Sequence, residues 1–351
     1  MSEREQETAA GDGKNPASTS ISTPTAIPLL DNEPPFLVVW CLDAWHLVFD
    51  RVSQALKQAE KKTGKRYELR MFDPNRGTLA MQVAEARALV PTTGRVSAED
   101  IEAAKELVLI TQPASGLDNV DLAAAHRRGI PVCNAPGVNA ASVAEAALMS
   151  LLLLARRWRE LEASFAGKRI GHPLGMQLSG KTLGLVGGNG EIGKRLAEAA
   201  RALGMLVLSV GSRSSNEEWE ELLSLSDAIS LHCPLNSATR HLIDSEKLNK
   251  MKPGVLLVNF SRGAVVDERA LLEALDTGRV GGAALDVFEV EPADPGSPLA
   301  SHHRVIATPH CGVATEEVAD AYADLLVGNI VAAREGRVGD LRYRVGGGEK
   351  T

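Results

Sequence analysis

The chain has 351 residues, which is too long for a single hydrophobic core and favours two domains at about 150 residues each. Its formal net charge of −7 at pH 7 argues against a nucleic-acid partner, because phosphate backbones are bound by clustered lysine and arginine. The longest apolar stretch, residues 146–155, is only about half of the roughly 20 residues that a membrane span requires. We therefore expect binding neither to nucleic acid nor to membranes.

The cysteines and the N-terminal segment bear on location. Four cysteines lie far apart and include no C-x-x-C pair: Cys41, Cys133, Cys233 and Cys311. This spacing indicates neither a zinc site nor a disulfide framework, so we expect no metal, reduced thiols and a cytoplasmic location. Residues 1–35 are rich in Ser, Thr, Pro, Gly and Ala, without the composition of a transit or signal peptide. They are predicted to form a disordered tail, because they cannot bury enough apolar surface to become ordered.

Short apolar runs alternate with helical segments from Phe36 to the middle of the chain. The predicted strands are Phe36–Asp43, Tyr67–Phe72, Arg87–Val90, Leu107–Ile110 and Ile130–Cys133. The predicted helices are Ala44–Thr63, Ala98–Ala104, Val120–Arg128 and a long helix from about Ala141 to Phe165. Such alternation predicts a parallel sheet with helices on its faces. Trp40, Trp45 and the leucines of 151–154 are interpreted as core residues.

A second series of the same kind begins at Lys181. Its predicted strands are Leu183–Gly187, Met205–Val210, Ala228–Cys233, Val255–Phe260, Gly282–Val287 and Val305–Thr308. Helices are expected between them, including Gly190–Leu203, and a final helix is predicted over Thr315–Glu335 with Gly336 at its C-cap. The whole pattern predicts an α/β protein with two doubly wound parallel-sheet domains.

A G-x-G-x-x-G motif, formed by Gly188, Gly190 and Gly193, lies between a predicted strand and a predicted helix. Glycines at these positions permit a tight turn, close approach of the backbone to a pyrophosphate, and close packing of helix against strand. The N-terminus of the helix then faces the phosphate charge. The motif alone is a weak signal, but in this setting it predicts a dinucleotide site, with a purely structural turn as the alternative.

The end of the next strand indicates which dinucleotide is bound. NAD sites usually carry Asp or Glu about 20 residues past the glycines, where the carboxylate binds the ribose 2′-hydroxyl. This chain has Gly211 there, followed by Ser212, Arg213 and Ser214. Arginine and hydroxyl donors would bind the 2′-phosphate that a carboxylate would repel. NADP(H) is therefore predicted as the preferred cofactor and NAD(H) as the second choice, while a solvated surface arginine is the alternative interpretation.

Three predicted strand ends in the second half carry polar residues suited to keto-acid chemistry: Arg262, Glu291 and His310. The carboxyl ends of parallel strands can meet at one crevice. Reduction of a keto acid requires a cation for the carboxylate and carbonyl, and a proton donor for the new alkoxide. Arginine supplies the cation, and histidine supplies the proton when a neighbouring carboxylate stabilises its protonated form.

These motifs resemble the D-isomer-specific 2-hydroxyacid dehydrogenase family over residues 85–335. The matching segments are Gly116–Asp121, Pro136–Glu145, Gly184–Gly193, His232–Leu235, Thr239–Ile243, Val258–Glu268, Asp286–Pro292 and Thr308–Gly312. Two departures stand out. The glycine loop is one residue longer than the family's usual turn, and Val90-Pro-Thr-Thr93 occupies the position where phosphoglycerate-type members carry an arginine.

The resemblance implies a role for individual residues. Arg262 would bind the substrate carboxylate and keto oxygen, His310 would be the general acid/base, and Glu291 would pair with it. The substrate-binding backbone donors would come from Ala114, Ser115 and Gly116. The cofactor-binding residues would be Gly188, Gly190, Glu191, Ile192, Gly193, Ser212, Arg213, Ser214, Cys233, Pro234, Phe260, Ser261, Asp286 and Gly312. A structural role is the alternative for Asp286 and for Ser115.

The resemblance also implies how the domains are arranged. A Rossmann cofactor domain over residues 151–311 would be inserted in a discontinuous, flavodoxin-like substrate domain formed by residues 36–150 and 312–351. The family commonly dimerises through the cofactor domain, so a homodimer is expected. Residues 338–351, which follow the last helix, are too few for a regulatory domain.

The sequence thus predicts an NADP(H)-dependent reductase of a small 2-keto acid, such as glyoxylate or hydroxypyruvate, that forms the D-2-hydroxy acid. One alternative is NAD-dependent 3-phosphoglycerate dehydrogenase, disfavoured by Gly211 and by residues 90–93. The other is a dinucleotide-binding, corepressor-like scaffold, disfavoured by the complete set of Arg262, Glu291 and His310.

Overall fold

The computed structural model describes residues 33–42 and 44–345 of the chain. The tail predicted over residues 1–35 lies outside this part except for its last three residues. The first sheet contains the parallel strands β1 (Phe36–Trp40), β2 (Tyr67–Met71), β3 (Ala88–Val90), β4 (Leu109–Thr111) and β5 (Val132–Cys133). Between them lie α1 (His46–Thr63), α2 (Leu79–Gln82), α3 (Ala98–Ala103) and α4 (Leu122–Arg127), with a 3-10 turn at Pro74–Arg76.

The second sheet follows two helices, α5 (Ala140–Ala155) and α6 (Trp158–Ala166). Its strands are β6 (Thr182–Val186), β7 (Leu206–Val210), β8 (Ala228–Leu231), β9 (Val255–Asn259), β10 (Val280–Leu285) and β11 (Val305–Ala307). Its helices are α7 (Glu191–Ala202), α8 (Asn216–Leu225), α9 (Ser245–Lys250) and α10 (Glu268–Asp276), with a 3-10 turn at Gly263–Val265. The described chain ends with α11 (Glu316–Arg334), a 3-10 turn at Val338–Asp340 and β12 (Arg344–Val345).

Both sheets are doubly wound. The first has the order β12-β5-β4-β3-β1-β2 and the second β11-β10-β9-β8-β6-β7. Neighbouring strands are parallel except for β12, which pairs antiparallel with β5. The strand β12 is not among the predicted ones, because two residues give no detectable alternation. The predicted α/β class with two doubly wound sheets is confirmed.

The first sheet is covered on one face by α1 and α11. Val48, Val52 and Leu56 recur every four residues and therefore lie on one side of α1. They pack in one core with Trp40 of β1 and Tyr322 of α11. Since α11 follows the second sheet in the chain but packs on the first, the domain built on the first sheet is discontinuous.

Helix α5 packs with the second sheet. Its buried residues Val143, Ala147 and Leu151 share a core with Leu183 and Leu185 of β6. The domain limit predicted between residues 150 and 151 lies inside this helix, so the segment that packs on the second sheet includes α5 from its start.

The single helix predicted from about Ala141 to Phe165 is wrong, because α5 and α6 occupy this segment. Arg157 lies between them with a left-handed φ of 54°, and its guanidinium binds the Glu160 carboxylate at 2.6 and 2.8 Å. The Met176 N–H donates to the carbonyl of Ala155 at the end of α5, at 2.7 Å. Because this contact involves a later segment of the chain, helical spacing alone does not locate the break.

No helix in the described part of the chain combines the length and apolar composition needed to cross a bilayer.

Candidate active site

Each sheet reverses its strand order at one point, and the two points face a common cleft. In the first sheet β1 lies beside β3, and in the second β6 lies beside β8, with the intervening strand on the far side. Open α/β sheets bind ligands at such points, beyond the carboxyl ends of the strands. A cleft of about 410 Å³ lies here, lined by residues from both sheets.

All six predicted catalytic and substrate residues line this cleft. They are Ala114, Ser115, Gly116, Arg262, Glu291 and His310. Six predicted cofactor residues also line the cleft: Ile192, Cys233, Pro234, Phe260, Ser261 and Asp286. The remaining ones lie outside its lining: Gly188, Gly190, Glu191, Gly193, Ser212, Arg213, Ser214 and Gly312.

The loop between β6 and α7 forms a cradle at the N-terminus of a helix. Gly190 is the N-cap of α7, and a Cβ added there would meet only the Gly187 carbonyl, at 3.4 Å. A Cβ added at Gly193 would lie 2.5 Å from the Cα of Gly188. Gly190 therefore leaves room for a pyrophosphate, and Gly193 permits close packing of the helix, so the loop fits a dinucleotide.

The turn after β7 is exposed and closed by its own hydrogen bonds. The Gly211 N–H donates to the Ser214 hydroxyl at 3.2 Å, and the Ser214 N–H donates to the Gly211 carbonyl at 3.1 Å. A Cβ added at Gly211 would meet no atom within 4 Å, so the space beside the turn is open. Ser212 and Arg213 are exposed at this turn. Residues 211–214 contain one cation and no carboxylate, a composition that fits a phosphate better than a bare hydroxyl.

A buried carboxylate holds the loop that carries His310. Asp286, 4% exposed, accepts hydrogen bonds from the Thr308 hydroxyl at 2.7 Å and from the N–H groups of Cys311 and Gly312 at 2.8 and 2.9 Å. Its carbonyl accepts from the His310 N–H at 2.8 Å. The side chain of Asp286 therefore has a structural role in fixing a histidine whose φ is 52°.

His310 is paired with Glu291. The imidazole Nδ1 lies 2.8 Å from Oε2 of Glu291, whose Oε1 accepts from the Phe288 N–H at 3.2 Å. Burial opposes ionisation of the carboxyl, but the hydrogen bond and charge of His310, the Phe288 N–H and Arg262 together hold the pKa of Glu291 below its ordinary value. An ionised Glu291 fixes Nδ1 as the protonated nitrogen and leaves Nε2 for a ligand.

Arg262 is positioned from both domains. The buried side chain of Asn259, at the end of β9, accepts from Ser261 and donates to the Arg262 carbonyl at 3.0 Å, which fixes the turn. The guanidinium binds the carboxylate of Asp118, in the loop after β4, at 3.1 to 3.2 Å. A side chain at Gly116 would collide with its Nη2. The predicted cation thus lies beside the predicted substrate loop.

Sequence analysis missed several residues of the cleft. Trp45, interpreted as core, packs against the core of the first sheet but also lines the cleft, and its ring packs edge-to-face on His310 with centroids 6.5 Å apart. Trp40, in contrast, is fully buried. Asp118 and His232 also line the cleft, although the roles assigned within their motifs fell on neighbouring residues, Gly116, Cys233 and Pro234. Burial lowers the pKa of His232 to about 4, so this imidazole is neutral.

Comparison with known proteins points to one protein family. The model of the D-isomer specific 2-hydroxyacid dehydrogenase NAD binding domain matches residues 148–312. A glyoxylate reductase of Thermococcus litoralis is 41% identical over 303 residues, which cover 79% of this chain and 91% of that protein. A D-3-phosphoglycerate dehydrogenase of Archaeoglobus fulgidus is 38% identical over 82% of this chain but only 55% of that protein.

A solved structure is similar over nearly its whole length. The crystal structure of a glyoxylate reductase from Paecilomyes thermophila aligns with a TM-score of 0.74 and 29% identity, covering 89% of this chain and 99% of that one. This chain belongs to the D-isomer-specific 2-hydroxyacid dehydrogenase family. It is therefore an oxidoreductase of 2-hydroxy acids that uses a nicotinamide dinucleotide.

Proposed function

We propose that the chain is an NADP(H)-dependent reductase that converts a small 2-keto acid, such as glyoxylate or hydroxypyruvate, to the D-2-hydroxy acid. The observation that carries this proposal is the convergence of Arg262, the Glu291–His310 pair and the loop of residues 114–116 on one cleft. Glyoxylate reductases are among the similar proteins, which supports the same substrate class.

Each residue of the cleft has a separate role in the proposed reduction. Arg262 binds the substrate carboxylate and polarises the keto oxygen, while the backbone N–H groups of Ala114, Ser115 and Gly116 hold the carboxylate from the other domain. When bound, the nicotinamide supplies hydride to the keto carbon. His310 gives its Nε2 proton to the developing alkoxide, since Nδ1 is held by Glu291. The Glu291 carboxylate stabilises the imidazolium before transfer and keeps the ring oriented.

The cofactor would lie across the carboxyl edge of the second sheet. The backbone of Glu191 and Ile192, with the three motif glycines, would hold the pyrophosphate at the start of α7. Cys233 and Pro234 would flank the adenosine half. The nicotinamide end would be lined by Phe260, Ser261, Asp286 and Gly312. The open cradle at Gly190 and the packed wall of Phe260 against Gly312 support this placement.

NADP(H) is the proposed cofactor because of the turn at Gly211. Arg213 and the hydroxyls of Ser212 and Ser214 would donate to the 2′-phosphate in the open space beside that turn. The carboxylate that usually binds the ribose 2′-hydroxyl of NAD is replaced by Gly211.

A small, unphosphorylated substrate is favoured by the walls of the cleft. Thr92 and Thr93 line it beyond β3, at the position where phosphoglycerate-type members of the family carry an arginine. Trp45 packs on His310 and limits the space beside the reacting carbon. These features weigh against 3-phosphoglycerate, although a 3-phosphoglycerate dehydrogenase is also similar to this chain.

We also propose that the chain forms a homodimer through its cofactor domain. Large apolar side chains are exposed on α6 and the loop after it: Trp158 at 47%, Phe165 at 87%, Ile170 at 97% and Leu174 at 81%. Clusters of this kind mark protein contacts. Sedimentation should give a dimer for the wild type and a monomer for Phe165→Glu, with Leu47→Glu on α1 as the exposed control. A monomeric wild type would contradict the proposal.

We also propose that the protein is cytoplasmic, on the ground that its four cysteines lie far apart in the sequence and include no C-x-x-C pair. All four are free, and burial raises the pKa of Cys133 and of Cys233 to about 11, which keeps these thiols protonated and unreactive.

The experiment for the proposed function is NADPH oxidation against a panel of 2-keto acids at one pH, with NADH in parallel. The panel contains glyoxylate, hydroxypyruvate, pyruvate, 2-oxoglutarate, phenylpyruvate and 3-phosphohydroxypyruvate. We expect the first two to give the highest kcat/KM and the phosphorylated acid a much lower one. Absence of turnover with every acid, while NADPH binding is demonstrated by titration, would contradict the enzyme and favour a scaffold.

A further inference from the structure

Asp118 forms an ion pair with Arg262 that connects the two sheets. Asp118 lies between β4 and α4, and Arg262 directly follows β9. The Nε of Arg262 lies 3.2 and 3.1 Å from the two carboxylate oxygens, and Nη2 lies 3.1 Å from Oδ1. About 30% of each side chain is exposed, so the pair lies at the wall of the cleft rather than in the core. The carboxylate therefore occupies the side of the guanidinium formed by Nε and Nη2.

Two hydrogens of Arg262 remain available to a ligand. A guanidinium has five N–H groups, one on Nε and two on each terminal nitrogen. Nε and one Nη2 hydrogen face Asp118, and one Nη1 hydrogen goes to the Ser261 carbonyl at 2.9 Å. One hydrogen remains on Nη1 and one on Nη2. Two such neighbouring N–H groups match the two oxygens of a carboxylate.

The two remaining N–H groups lie beside the loop that is proposed to hold the substrate. Any side chain at Gly116 would collide with Nη2 of Arg262. Arg262, Asp118, Ser115 and Gly116 all line the same cleft. A ligand carboxylate could then meet these N–H groups and the backbone of residues 114–116 together.

We propose that Asp118 is a positioning residue, which binds the Nε side of Arg262 and thereby presents the Nη1–Nη2 fork to the substrate carboxylate. This inference rests on the proposed function, since it assigns a partner to the proposed carboxylate-binding arginine. An alternative for the same contact is competition, in which the Asp118 anion merely reduces the positive charge available to the substrate. The two accounts predict opposite changes in KM when Asp118 is removed. Loss of a positioning residue raises KM, and loss of a competitor lowers it.

The test begins with Asp118→Ala and Asp118→Asn, measured with hydroxypyruvate and NADPH. We expect KM to rise about tenfold in the alanine variant and less in the asparagine variant, whose amide oxygen still accepts a hydrogen bond. We expect kcat to change less than KM, and the Kd of NADPH to stay within about twofold, since the Asp118 carboxylate pairs with Arg262 and not with a proposed cofactor residue. The matched control is Asp121→Ala, in the same loop, whose carboxylate caps α4 through the Ala124 N–H. It should lower Tm without changing KM.

A double-mutant cycle shows whether Asp118 acts through Arg262. In the Arg262→Gln background, Asp118→Ala should change kcat/KM by less than about threefold, because the side chain that it positions is gone. An equal loss in both backgrounds, or a lower KM in the wild-type background, would overturn the inference. If Asp118→Ala fails to fold, Asp118→Asn serves in the same cycle. Turnover by the wild type with an unchanged KM in the Asp118 variants overturns this inference alone, whereas an inactive wild type overturns the proposed function with it.

Discussion

The two domains contribute to the cleft in different ways. The second sheet supplies Arg262, Glu291 and His310 from loops that follow its strands directly, and buried polar side chains hold two of these loops: Asn259 for Arg262 and Asp286 for His310. The first sheet supplies Trp45, Thr92 and Asp118 from loops that the side chains of Gln112 and Asn119 also tie together. From these loops, Trp45 contacts His310 and Asp118 contacts Arg262. The comparison suggests that one domain carries the chemistry and that the other selects and orients the substrate.

The strongest test of this division is His310→Ala, which removes the proposed proton donor. We expect kcat to fall by about 10²–10⁴, the usual contribution of a general acid/base. The Kd of NADPH should stay near the wild-type value, because His310 faces the substrate. His126→Ala, exposed on α4, is the control. Near-normal turnover in the His310 variant would show that the second domain's loop does not carry the chemistry.

The second-largest loss of activity is expected from Arg262→Lys. An ammonium cannot reproduce the planar fork of a guanidinium, so we expect kcat/KM to fall at least thirtyfold, equivalent to about 2 kcal/mol, mostly through a higher KM. The change in NADPH affinity should be small. Arg269→Lys, whose guanidinium pairs with Glu273 on the exposed side of α10, provides the control. Equal losses in substrate and cofactor binding would mean that Arg262 has a broader structural role.

A smaller effect concerns cofactor choice. The wild type should prefer NADPH to NADH by at least about tenfold in kcat/KM, because a charge-assisted contact with the 2′-phosphate is worth at least that factor. Arg213→Ala should reduce the preference for NADPH, because it should lower kcat/KM for NADPH and leave kcat/KM for NADH unchanged. Arg201→Ala, exposed at the end of α7, should leave the ratio intact. Equal use of both cofactors by the wild type would refute this assignment.

The smallest effect is a shift along the pH axis from Glu291→Gln. The pKa of the Glu291 carboxyl is held below its ordinary value, so it is ionised throughout the working range. The neutral amide cannot stabilise the imidazolium that gives up the proton. The limb of the pH–rate profile on which activity falls with rising pH should therefore move about one unit to lower pH. Glu289→Gln, two residues away and paired with His241, should leave the profile in place, and a shift in the opposite direction would contradict the pairing.

Features that depend on the local sequence could be predicted, whereas contacts between distant segments could not. Buried parallel strands form apolar runs, so both sheets and the loops at their carboxyl ends could be located. Arg262, Glu291 and His310 lie in such loops, and their placement on one cleft follows from the topology. Trp45 and Asp118 were not predicted because their contacts join segments far apart in the chain, Trp45 to His310 and Asp118 to Arg262. The break between α5 and α6 was not predicted either, and the end of α5 is bonded there by the distant Met176.

The most direct test of the central claim is the configuration of the product. Hydroxypyruvate and NADPH would be incubated with the wild-type protein, and the glycerate formed would be separated on a chiral column and quantified against the NADPH consumed. We expect D-glycerate alone, in one-to-one stoichiometry with NADPH, and about 10²–10⁴-fold slower formation by His310→Ala. L-Glycerate, or NADPH consumption without glycerate, would contradict the account.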